Sequence, residues 1–122
     1  MNIQNRGIFV LASLAMIIAI ALDAMAAHVL KDVLDENHQN TWSIAGRYLL
    51  IQSLALIVLS LIKANSFFNI SLQMIAFGML AFSISLYTLC FIQFSNLGLV
   101  TPIGGVAMRL GWLGVIISVI KK

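Results

Sequence analysis

Four long apolar stretches, separated by short polar interruptions, run along the chain at approximately residues 8–27, 43–62, 72–91 and 104–120. Each approaches the roughly 20 helical residues needed to cross a hydrocarbon core about 30 Å thick. Backbone polar groups cannot go unpaired in lipid, and no run of alternating residues suggests a barrel strand, so the stretches predict α-helices. The connections KDVLDENHQN, KANSFFN and IQFSNLGLVTP are short, which favours antiparallel neighbours. No linker, low-complexity tract or internal repeat divides the chain. The expectation is an all-α fold: one domain over residues 1–122, an integral membrane four-helix bundle with up-down topology.

Within the stretches, small residues recur at helical spacing. Ala12, Ala15, Ala19, Asp23 and Ala26 form one stripe in the first. Gly78, Ala81, Ser85 and Thr88 form another in the third, and Gly104, Ala107, Gly111, Gly114 and Ser118 a further one in the fourth. In a membrane such stripes predict faces of close helix approach, because packing drives association there. Asp23 shares the alanine stripe and is therefore expected to face the bundle interior, where an intramembrane carboxylate is least costly. The apolar run from Tyr48 to Ile62 is too short to span alone, so the second helix must include the turn before it. That places Arg47 at a depth similar to Asp23 and makes it the expected partner. Arg109 has comparable depth but falls opposite the Gly111 and Gly114 stripe, which leaves it as the second candidate.

Beyond the first stretch, His28, Asp32 and Asp35 would share a face if the helix continued. No HExxH or paired-cysteine signature accompanies them, so no metal site is expected. Thr101, Pro102, Gly104 and Gly105 read as a turn opening the fourth helix.

Composition makes the bilayer the solvent: 61% of residues are hydrophobic, 9% are charged, and mean hydropathy is +1.05. A net charge of +3 arises from singly scattered basic residues, which argues against nucleic-acid binding. The charges bear instead on topology. Arg6, Lys63, Lys121 and Lys122 fall on one side and Lys31 on the other, so the positive-inside rule predicts a multi-pass protein with both termini in the cytoplasm. The run after Arg6 and the triplet Ala24-Met25-Ala26 imitate a secretory signal. The run is at the long limit for such a signal and Asp23 abuts the would-be cleavage site, so it is expected to remain as the first span. Cys90 is a lone cysteine in an apolar stretch. There is no GxSxG, no glycine-rich phosphate loop and no cysteine set for a cluster, so neither catalysis nor a cofactor is expected.

Several segments, taken together, carry a family resemblance: AAHVLK, RYLLIQSLALI, SISLYTLCF and TPIGGVAMRLGW, in that order and over most of the chain. The chain resembles the small bacterial membrane proteins grouped as domain of unknown function 423, distantly similar to eukaryotic transmembrane protein 256. The residues matching that pattern are His28, Arg47, Tyr48, Ser85, Tyr87, Thr101, Pro102, Gly104, Gly105, Gly111 and Trp112. Asp23 and Ala26 stand where the family usually has glycine, Gln52 where it usually has histidine, and Arg109 where it is usually apolar. The resemblance implies four membrane helices in a bacterial inner membrane and no established activity.

The polar cluster of candidate residues is thus Asp23, His28, Arg47, Tyr48, Gln52 and Arg109. With tiny loops and small-residue faces, the first expectation is a non-catalytic accessory, assembly or structural component, partnered by the lipid bilayer and by a homo-oligomer or larger membrane complex. The alternative is an oligomeric carrier or channel whose entrance is lined by Asp23, His28, Arg47 and Gln52. The third is an enzyme at the lipid surface using His28 as a general base.

Overall fold

The computed structural model describes residues 3–92 and 97–121. Lys122 and part of the third connection, residues 93–96, lie outside the described residues. Among the described residues the chain forms four α-helices and no strand: α1 (Arg6–His28), α2 (Glu36–Leu59), α3 (Ser66–Leu89) and α4 (Leu97–Ile120), with a 3-10 turn over Leu30–Asp32 between the first two. All four are long and apolar enough to cross a membrane. At 1.5 Å per residue each measures about 35 Å, slightly more than the hydrocarbon thickness.

The first three helices begin at the same device. Asn5, Asp35 and Asn65 are their N-caps, and each side chain accepts a hydrogen bond from a backbone N–H three residues on: Ile8 at 3.1 Å, His38 at 2.8 Å and Phe68 at 2.8 Å. The caps explain why α2 and α3 start about two turns ahead of their apolar stretches. Hydropathy marks the segment that lies in lipid, whereas the cap marks where helical hydrogen bonding begins.

The fourth helix corrects a second expectation. Thr101, Pro102, Gly104 and Gly105 lie inside α4 and do not form a turn before it. Pro102 has no N–H to offer the Gly98 carbonyl, a loss that helices in membranes accommodate. Among the described residues no glycine has positive φ, so Gly104 and Gly105 are not used for chain reversal. Gly104 serves contact instead: a Cβ there would stand 2.6 Å from the Phe82 nitrogen and 2.8 Å from the Gly78 oxygen.

Gly104 belongs to a seam in which α3 and α4 approach backbone to backbone. A Cβ on Gly78 would meet the Gly104 oxygen at 2.5 Å, and one on Gly111 would meet the Ile75 nitrogen at 2.9 Å. Gly114 is likewise filled by the Ser71 side chain. The small-residue stripes of α3 and α4 therefore pack on each other. On its other side α3 packs on α2, and α1 packs chiefly on α2. Leu56, Leu72, Ile75 and Met79 are fully buried where these helices meet. Ala12, Ala15 and Ala19 are buried on the inner face of α1, whereas Val10, Leu14, Ile17 and Ile18 are exposed on its outer face. Such a surface is stable only against lipid, and the chain is a multi-pass membrane protein.

Buried hydroxyls tie neighbouring helices together. Ser83 donates to the Ala45 carbonyl at 3.0 Å, joining α3 to α2. Ser85 and Thr101 share a 2.6 Å hydrogen bond between α3 and α4.

Candidate functional site

The polar residues singled out from the sequence fall into two grooves and one helix end. The first groove lies between α1 and α2, encloses about 540 Å³, and is lined by Ala19, Ile20, Asp23, Ala24 and Ala27 on one side and Ser43, Gly46, Arg47 and Leu50 on the other. Its register is set by Trp42, whose indole Nε1 donates to the Leu22 carbonyl at 2.9 Å. That bond brings the second turn of α2 level with Asp23. Asp23 and Arg47 thus share a groove, as their depths suggested, but they are not joined in an ion pair. Among the described residues the only ion pair is His38 with Asp35, at 3.1 Å.

Asp23 also departs from the interior position expected of it, since its side chain is exposed at the groove. At 100° per residue it stands about 40° beyond Ala19, so the buried stripe continues between the half-buried Leu22 and Ala26 and leaves Asp23 at the margin. The floor beneath it is open because residue 46 is glycine. A Cβ on Gly46 would lie 3.3 Å from the Tyr87 hydroxyl oxygen and 3.7 Å from Asp23 Oδ1. Tyr87 reaches this point from α3, its ring held edge-on by Trp42 at a centroid distance of 4.6 Å. Its hydroxyl is buried and has no hydrogen-bond partner among the described residues.

The second groove, about 450 Å³, lies on another face, where Tyr48 and Gln52 of α2 and Phe82 of α3 meet Arg109 and Trp112 of α4. Trp112 donates its indole N–H to Gln52 Oε1 at 2.8 Å, and Tyr48 stacks at a tilt on Phe82 with centroids 4.8 Å apart. Arg109 is exposed here, away from the glycine stripe of α4, and lines a different groove from Asp23. It is not the partner of that carboxylate. Arg47 and Tyr48, adjacent in sequence, open onto different grooves because one helical step rotates the side chain by about 100°.

His28 closes α1 and is exposed, belonging to neither groove. The helix stops there, so His28, Asp32 and Asp35 do not continue on one helical face; Asp35 instead caps α2. No group of three metal-ligating side chains forms among the described residues. Nearby, Cys90 donates its thiol to the His38 carbonyl at 3.3 Å. Burial pushes the Cys90 thiol above its ordinary pKa, with the Asp35 carboxylate adding to the effect, so it stays a protonated donor.

Sequence reasoning from periodicity missed Ser43, Gly46 and Trp42, and it had Tyr87 only through resemblance. Trp42 carried a usable signal, an indole near the polar end of an apolar stretch, where such side chains collect at the membrane interface. Gly46 carried none, because its importance depends on a tyrosine from another helix.

Comparison with known proteins agrees with a membrane protein of this size. The family model described as Protein of unknown function (DUF423) matches residues 22–105. A UPF0382 membrane protein of Staphylococcus epidermidis is 35% identical over 114 residues, covering 92% of this chain and 93% of that protein. The UPF0382 membrane protein YwdK of Bacillus subtilis is 28% identical over 116 residues, covering 92% and 94%. No solved structure matches.

Proposed function

The chain belongs to the DUF423 family of bacterial membrane proteins, and on that premise we propose that it is a non-catalytic accessory or assembly component of the cytoplasmic membrane. The observation that carries this reading is the placement of the polar side chains: Asp23, Arg47, Tyr48 and Arg109 are all exposed along grooves on the flanks of the bundle. Side chains so placed meet lipid or another membrane protein. The connections add little outside the bilayer, since only residues 29–35 and 60–65 separate the first three helices. In this reading both termini face the cytoplasm, with Arg6, Lys63 and Lys121 on that side.

The carrier reading requires Asp23, His28, Arg47 and Gln52 to line one entrance. Their division between two grooves and a helix end weighs against it. Extraction of the tagged protein from its own membrane in native lipid discs, followed by mass spectrometry, tests the proposal. A protein partner, or a second copy, retained at near-stoichiometric level is expected. Recovery of lone monomers would overturn it.

A further inference from the structure

The groove between α1 and α2 holds one carboxylate and one guanidinium that are exposed to the same space and not joined to each other. In a membrane such groups are costly unless each finds a counter-charge. Beneath them the Tyr87 hydroxyl, on a side chain about nine-tenths buried, reaches the floor at Gly46 without a hydrogen-bond partner among the described residues. A buried hydroxyl left in this way points to a polar group supplied from outside the chain.

The level of the groove narrows what that group is. Asp23 lies five residues, about 8 Å, from the end of α1, and the Trp42 indole that sets the register is a side chain favoured at the membrane interface. Below the charges the walls turn apolar, with Ala19, Ile20 and Leu50. A molecule that fits carries a zwitterionic head and a hydrocarbon tail.

We propose that this groove binds the headgroup of a phospholipid bearing a phosphate and a primary ammonium, with Arg47 on the phosphate and Asp23 on the ammonium. A guanidinium matches phosphate oxygens with paired N–H donors. The Tyr87 hydroxyl lies just behind Gly46, beside these charges. Asp23 disfavours an anionic headgroup without an amine by repulsion. A trimethylated ammonium is disfavoured for a different reason: it has no N–H to donate to the carboxylate. This binding is independent of whichever protein the chain assembles with.

The test is lipid retention by the purified full-length protein after exchange into mixed vesicles of phosphatidylethanolamine, phosphatidylcholine and phosphatidylglycerol. Native mass spectrometry counts the lipids that stay bound. Phosphatidylethanolamine is expected to be retained roughly tenfold over the other two, the scale of one charge-assisted hydrogen bond. Asp23→Asn should abolish most of that preference and Arg47→Gln should lower retention of all three lipids, whereas Arg109→Gln, in the other groove, should leave both retention and preference intact. Should a variant fail to fold, the wild-type protein still decides the matter with the mono-, di- and trimethylated ethanolamine lipids: retention should fall sharply at the trimethylated member. Equal retention of all headgroups, or a preference unmoved by Asp23→Asn, would overturn the assignment.

Discussion

A single methyl group would collide with backbone at Gly78. The Cβ of an alanine there would stand 2.5 Å from the Gly104 oxygen and 2.6 Å from the Met108 nitrogen, and neither atom can move without displacing α4. Gly78→Ala should therefore lower stability by about 1–3 kcal/mol, the range for overpacking a filled interior, read as a shifted unfolding midpoint in mixed micelles. Gly98→Ala is the matched control. Nothing lies within 4 Å of a Cβ at that position, so the substitution should be neutral or stabilise slightly through helix propensity. The glycines of the α3–α4 seam were legible from spacing alone, because a stripe of small residues has one physical meaning in lipid. Asp23 was legible only in part: its depth followed from counting, but its exposure depended on where the seam with α2 ran relative to the alanine stripe.

At the level of the helices, the spans were readable and the starts were not. Hydropathy reports contact with lipid and falls away over the polar residues 36–42, although α2 already runs through them. Asp35 and Asn65 are recognisable cap residues, yet sequence alone does not say which polar residue in a loop takes that part. Asn65→Ala should destabilise the protein by about 1 kcal/mol, and Asn65→Asp should retain most of the stability, both measured by the same unfolding midpoint. Pro102 misled for a related reason. In water a proline beside paired glycines marks a turn, whereas in a membrane helix the glycines answer to packing and the proline can be carried within the helix.

For the whole molecule, the up-down arrangement followed from four spans and short connections, while the two-groove division of the polar cluster required the helix order in space. Tyr48 and Arg47 are neighbours along the chain but open onto different grooves. The orientation proposed from the basic residues can be checked by labelling. In a background where the buried Cys90 is replaced by alanine, a cysteine at position 31 should react with an impermeant maleimide in right-side-out vesicles. One at position 63 should react only after permeabilisation; the opposite pattern would reverse the topology. Because α1 packs on α2, α2 on α3, and α3 most extensively on α4, each helix emerging from the ribosome finds a packing partner in the segment made just before it. Assembly can keep pace with synthesis, and the glycine seam, completed only once α4 follows α3, locks the four helices together.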